Sequence, residues 1–251
     1  MNELEGSELK GRVALVTGGS RGIGAAIARG LARQGADVAI TYERNTDRAS
    51  AVAGQIRDMG RRGLTINADS GDVAAVTAAV DHAAEVLGRL DILVNNAGTF
   101  RVGPIEELGP AEFDRTVAVN VRAPYVASRA AIRHLGEGGR IISIGSNMAD
   151  RTTFPGFALY ALSKTALVGM TKGLARELGP RGITVNLIHP GPTDTDANPA
   201  AGPHAASINA LTALGRYATP DEVAAVVSFL AGEGGGYVTG AAINADGGFT
   251  V

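Results

Sequence analysis

Tyr160 and Lys164 stand four residues apart in "YALSK", with Ser163 between them. On a helix, side chains at that spacing share a face, so a phenol and an ammonium group project side by side. A phenol beside a cation releases its proton more readily than a free one. The pair is therefore a candidate proton donor with its own tuning charge. The plain alternative is an exposed helix turn carrying an amphipathic tyrosine and a solvated lysine. What the rest of the chain supplies must decide between them.

A second stretch with chemistry in it is "TGGSRGIG", residues 17–24. Gly18, Gly22 and Gly24 let the backbone turn tightly and come close to a pyrophosphate, which a helix N-terminus attracts. The spacing is G-x-x-x-G-x-G, not the G-x-G-x-x-G dinucleotide fingerprint. Its position directly after a strand gives it weight. An acid at the end of the second strand would take the adenosine ribose hydroxyls of NAD. Tyr42 stands there instead, followed by Glu43 and Arg44, and Arg21 sits inside the glycine loop. Two arginines near that ribose favour the extra phosphate of NADP(H). Glu43 has three open roles: facing solvent, pairing with Arg44, or serving as an NAD determinant. Asp69 is placed to bond an adenine amino group, or is an acid near a helix N-cap.

These residues need a scaffold, and the patterning supplies one. Short β-branched runs at 13–17, 37–42, 63–68, 91–98, 139–146, 182–190 and 241–246 read as strands. Alanine-rich helical patterns lie between them, among them 22–35, 46–60, 72–88, one long helix over 110–135, and 158–179. The alternation predicts an α/β fold, a doubly wound parallel sheet of about seven strands in one domain spanning 1–251. Several strands are continuously apolar, as strands covered on both faces should be. The Pro/Gly/Asp-rich stretch at 190–207 suits a mobile flap over a site, with the substrate flap placed around 194–214.

Composition narrows the function. Of 251 residues, 45% are apolar and 19% charged, with net charge −2 and no basic block, so a nucleic-acid partner is not expected. There are no cysteines, which excludes disulfides and thiolate catalysis. His82, His134, His189 and His204 show no metal-ligand spacing, and each reads as a surface or element-end residue. No metal is expected. The charged start "MNELEGSELKGR" is not a secretory signal, and no apolar run is long enough to span a membrane, so a cytoplasmic location is expected.

Taken in order, "TGGSRGIG", "NNAG" (95–98), Asn120, Ser146, Tyr160-x-x-x-Lys164 and "PG" (190–191) resemble the short-chain dehydrogenases/reductases, over nearly all of residues 9–248. Within that family the chain looks like the bacterial 3-oxoacyl-acyl-carrier-protein reductases. "DRTTFPGFALYALSK" and "GPRGITVNLIHPGPTDTDANPA" further resemble a branch that includes an enterobacterial biofilm-dispersal protein binding cyclic di-GMP.

The resemblance implies a Rossmann fold and assigns roles. Tyr160 would give its proton to a carbonyl oxygen as hydride arrives from the nicotinamide. Lys164 would hold the nicotinamide ribose and lower the tyrosine pKa. Ser146 would bond the substrate oxygen. Asn120 would hold a water linking Lys164 to solvent, unless it is a buried helix amide bonded to backbone. Ser20, Ile23, Ser70, Asn96, Ala97, Gly98, Pro190, Gly191, Pro192, Thr193 and Thr195 would contact the cofactor. Ser146 and Tyr160 lie 14 apart where the family pattern most often has 13, which implies a bulged loop. Ser143 is an alternative serine, within the fifth strand.

The expected activity is reversible NADP(H)-dependent reduction of a carbonyl, of the 3-oxoacyl or small-ketone type. The competing class is a regulator that binds a nucleotide such as cyclic di-GMP on the same scaffold. Phe100, Met148, Phe154, Phe157 and the flap around Pro199 to Leu211 border an apolar substrate pocket, or the aromatics are ordinary packing. Family members are mostly homotetramers. The alanine-rich faces of the helices at 110–135 and 157–178 and the apolar end "TGAAINADGGFTV" fit that assembly.

Overall fold

The computed structural model describes residues 8–251. The reading of the charged N-terminal start falls mostly on residues 1–7, outside the described residues. Seven parallel strands form one sheet: β1 (Val13–Val16), β2 (Asp37–Tyr42), β3 (Gly63–Asn67), β4 (Ile92–Asn95), β5 (Arg140–Ile144), β6 (Thr184–Pro190) and β7 (Ala242–Ala245). Their order is β3-β2-β1-β4-β5-β6-β7. β1, β4, β5 and β6 are buried along their whole lengths, because helices cover the sheet on both sides. The order reverses between β1 and β4, which leaves a crevice at their carboxyl ends where open α/β sheets bind ligands.

On one face, α1 (Gly22–Arg33), α2 (Thr46–Asp58) and α8 (Pro220–Ala231) pack Ile27, Leu31, Val52, Ile56, Val223 and Val227 against the strands. On the other, α3 (Val73–Leu87), α5 (Ala123–Ala131) and α6 (Ala158–Leu178) bury Val80, Leu87, Ala127 and Leu178. The helix α8 was not foreseen. Its signal was present: Thr219 accepts from the Glu222 backbone N–H while the Glu222 carboxylate takes the Thr219 N–H, a capping box with Pro220 in the first turn.

The expected long helix over 110–135 is a second correction. It begins at Pro110 as read, but α4 (Pro110–Val117) gives way to a wide π-turn at Ala118–Arg122 before α5 resumes. Pro124 is the physical reason. It has no N–H to give the Asn120 carbonyl four residues back, so regular winding fails there. The break sits at Asn120, one of the predicted site residues. The stretch after β6 carries its own short helix α7 (Ala205–Asn209). Among the described residues, no helix is long and apolar enough to cross a membrane, and no group of His, Asp and Glu is arranged to hold a metal.

Candidate active site

The crevice at the switch point opens into a cleft of about 920 Å³, within the usual range for small-molecule sites. Every predicted site residue lines it except Asp69 and Asn120. The glycine loop forms one wall. Gly18 has φ +65°, and a Cβ there would lie 2.9 Å from the Ala97 Cα. A Cβ on Gly24 would lie 2.4 Å from both the Asn96 amide nitrogen and the Gly18 carbonyl. The loop is thus interlocked with the 95–98 segment. The Thr17 hydroxyl accepts the N–H groups of Asn96 and Ala97 at 3.0 Å, and the Asn96 amide donates back to the carbonyls of Thr17 and Gly18. Arg21, at the N-cap of α1, is extended and makes no side-chain cap, so the first-turn N–H groups keep their affinity for an anion.

At the far end of this wall, charge gathers on the surface. Arg21, Arg44, Arg48 and Arg115 line the cleft against only Glu43 and Asp196. Glu43 takes the second of its three open roles: it pairs with Arg44 at 3.1 Å, and Arg115 lies 3.6 Å away. Asp69 stands between the lining residues Ala68 and Ser70. Its carboxylate accepts two bonds from Arg115, at 3.0 and 3.2 Å, and one from the Gly71 N–H at 2.7 Å. The Arg115 hydrogen bonds, first among the causes, hold its pKa below the usual carboxylate range. Arg48 reaches across to Asp196, joining α2 to the segment after β6.

The other end is enclosed. Tyr160 and Lys164 are on α6, as the four-residue spacing requires, and Lys164 is only 6% exposed. Its ammonium donates to the Ile144 carbonyl at 3.0 Å and lies 5.8 Å from the centre of the Tyr160 ring. Burial lowers the lysine pKa from 10.5 to about 8. Burial also raises the phenol pKa, with the Ser146 hydroxyl pulling the other way. In the protein alone desolvation is the larger effect, and Tyr160 keeps its proton. A tyrosine that must donate is thereby held in its acid form.

Ser146 ends the β5 segment. Its hydroxyl accepts from the Met148 N–H at 3.2 Å and donates to Asn147 Oδ1 over a long 3.4 Å, a bond weak enough to be exchanged for an oxygen in the cleft. The Asn120 side chain is bonded to backbone and to Ser163. Its amide donates to the Thr99 carbonyl and to Ser163 Oγ, both at 3.0 Å, while its oxygen accepts the Thr99 N–H at 2.8 Å. It still crowds the lysine: a Cβ on Gly98 would lie 3.4 Å from Asn120 Oδ1 and 3.5 Å from Lys164 Nζ. The 14-residue span between Ser146 and Tyr160 is taken up by a short 3₁₀ turn at Asn147–Ala149 and a loop whose Gly156 (φ +84°) accepts the Gly103 N–H. Ser143 is wholly buried and bonded by Asn95.

Aromatic rings close the site. Phe100 packs edge-on to Tyr160 at 4.9 Å and to Phe157 at 5.8 Å, and Phe154 lies beyond. Met148, Ile208 and Phe249 complete the apolar lining, so the four residues foreseen do border the pocket. Phe249 is 1% exposed, held by its own chain beneath Arg151, which donates to its carbonyl at 2.6 Å. Two residues were missed. Asn147 is 3% exposed with its amide nitrogen unpartnered among the described residues. His189 was read as a surface or element-end residue; it is near the end of β6 but wholly buried. Its place beside "PG" at the carboxyl end of a parallel strand was the available signal, since sites form there.

The fold, the glycine loop and the Ser-Tyr-Lys constellation define a dinucleotide-fold oxidoreductase, and the chain belongs to the short-chain dehydrogenase/reductase family. Residues 18–250 match the family model described as enoyl-(acyl carrier protein) reductase. A short-chain dehydrogenase from Burkholderia cenocepacia J2315, solved in complex with NADP, is 56% identical with a TM-score of 0.97, covering 98% of this chain and 100% of that one. The cyclic-di-GMP-binding biofilm dispersal mediator protein of Escherichia coli K12 is 47% identical over 95% of this chain and 97% of its own length. The structure of BdcA in complex with NADPH matches with a TM-score of 0.90 at 46% identity, covering 97% of this chain and 96% of that one.

Proposed function

We propose that this chain reduces a carbonyl with NADPH, reversibly as an alcohol dehydrogenase, with Tyr160 as proton donor, Ser146 on the carbonyl oxygen and Lys164 on the nicotinamide ribose. The observation that carries this reading is one cleft with two matched ends. A half-buried, protonated phenol stands beside a buried lysine at one end, and a surplus of arginine lines the other. The bound cofactor would supply the hydride, and the protein's part is to orient it and deliver the proton. Arg21 and Arg44 would take the ribose phosphate. The open first turn of α1 would take the pyrophosphate, with Ser20, Gly22, Ile23, Ser70, Thr193 and Thr195 around them.

The substrate class is an apolar or aromatic ketone, because rings and aliphatic groups form most of the wall around Tyr160. The 3-oxoacyl type fits the same wall. The segment 194–214 is read as a flap on a single domain. Phe113, Tyr125 and Leu162 on one side and Phe229, Tyr237 and Val251 on another stay exposed, which favours a homotetramer with two kinds of interface. A cytoplasmic setting fits a nicotinamide enzyme with no cysteine. NADPH oxidation over a panel of ketones, β-keto esters and diketones tests the reading. A second reading, a cyclic-dinucleotide-binding regulator, draws on the relative named for that ligand. Cyclic di-GMP binding without turnover on any carbonyl would favour it.

A further inference from the structure

His189 is the one histidine inside the fold, at 0% exposure on β6. The fully buried ring lies under the turn that carries Ser146. Gly145 makes the last backbone bond to β6, its N–H to the Ile188 carbonyl at 2.7 Å. The next N–H, that of Ser146, has no strand carbonyl; it donates to His189 Nδ1 at 3.0 Å. The fit leaves no room: a Cβ on residue 145 would lie 2.5 Å from Nδ1 and 2.8 Å from Cε1 of the imidazole. An Nδ1 that accepts carries no proton, so in the neutral ring the proton is on Nε2, which is buried and unpartnered among the described residues.

We infer that His189 is a positioning residue for carbonyl reduction: as the neutral Nε2–H tautomer it anchors the Ser146 N–H and thereby fixes where the serine hydroxyl meets the substrate oxygen. This rests on the reductase reading above. Besides the Tyr160 phenol, the hydroxyl is oriented by Met148 N–H and Asn147 Oδ1, both within its own turn, and the imidazole bonds that turn to β6. Protonating Nδ1 would set one donor against another. The surroundings resist it: burial, first among the causes, and the Lys164 charge lower the histidine pKa, against the upward pull of Asp150 and Asp246.

Two measurements test the inference. In protein labelled with ¹⁵N-histidine, His189 should stay in the neutral Nε2–H form from about pH 8 to about pH 5.5. An Nδ1–H tautomer, or a ring that becomes cationic in that range, overturns the assignment whether or not the protein is a reductase. In NADPH-driven ketone reduction, His189→Leu should lower kcat by about 10- to 100-fold with NADPH affinity and substrate KM unchanged. His189→Asn, whose Oδ1 stands where Nδ1 does, should restore most of the rate. In a Ser146→Ala background, His189→Leu should cost nothing further, because its effect runs through the serine. A full additive loss in that background, or Asn no better than Leu, would mean a general packing role and defeat the inference. Wild-type protein that turns over no carbonyl defeats the reductase reading itself, and the catalytic half of this inference with it.

Discussion

At the tyrosine end of the cleft charge is buried and fixed. Lys164 is 6% exposed, its ammonium is held by the Ile144 carbonyl, and Tyr160 is walled by Phe100 and Phe157. At the arginine end charge is exposed and shared: the Arg44 side chain is 86% exposed, and Arg48 and Asp196 are each more than half exposed. At the enclosed end each interaction is strong because burial lessens screening, and each was costly to build. At the wet end each contact is weak, and only their sum has a sign. Substitutions should therefore act steeply and singly at one end, shallowly and collectively at the other.

The steepest test is Tyr160→Phe. It removes one oxygen and little packing, so the variant should fold and bind NADPH as before. Ketone reduction should fall by about 10²- to 10⁴-fold, the usual loss of a general acid. A purified Tyr160→Phe protein with wild-type turnover would make the turn a plain structural one and put the regulator ahead.

Lys164→Met tests the cost of the enclosed end. The native lysine pKa lies at about 8, below its ordinary 10.5, so the unfolded chain binds the proton more tightly. That burden on folding is complete below about pH 8 and vanishes as pH rises through 10.5. Its size is about 3 kcal/mol, from which the bond lost at the Ile144 carbonyl subtracts about 1 kcal/mol. The variant should thus be inactive yet more stable at pH 7 by roughly 2 kcal/mol in denaturant unfolding, with the gain fading toward pH 10.5. A destabilised variant, or a gain that grows with pH, would mean the lysine is better solvated than its burial implies.

The two ends also differed in how much the sequence disclosed. Tyr160, Lys164 and the glycine loop are local patterns, set by helix spacing and by a strand-turn-helix junction, so they could be read in place. The seven strands were legible for the same reason, since continuous apolar runs bounded by glycine mark covered strands. The Arg115 partner of Asp69 could not be read, because it is 46 residues away and brought to it only by the packing of the fold. His189 failed because burial at a strand end depends on the turn that folds over it. The π-turn at Asn120 was within reach of sequence reasoning, since Pro124 forbids a regular bond at that point. The capping box at Thr219–Glu222 was equally readable and announced α8.

At the wet end, Arg21→Ala with Arg44→Ala should narrow the preference for NADPH over NADH by about 10- to 150-fold, the worth of one charged phosphate contact. Neither alone should do so fully. Arg44 is already paired with Glu43, and Arg48 and Arg115 remain nearby to compensate. The ratio of kcat/KM values for the two cofactors is the measurement. A single substitution that abolishes the preference would make this end as steep as the other and break the comparison.

The smallest effect belongs to the Arg48–Asp196 pair, which ties α2 to the segment after β6 across the mouth of the cleft. Its geometry is close, but both partners lie in solvent, where attraction is screened and holding two long side chains costs entropy. The Arg48 bond nonetheless keeps the Asp196 pKa below the carboxylate range. A double-mutant cycle with Arg48→Ala and Asp196→Ala, read by unfolding of the free protein, should give a coupling within the small range usual for exposed ion pairs. That coupling should fade in about 1 M salt, where the Debye length shrinks to roughly 3 Å. A coupling well above that range, persisting in salt, would mean that the segment closes over the pair and removes it from water. The arginine end would then hold one contact of the enclosed kind, and the flap would be shut before any cofactor arrived.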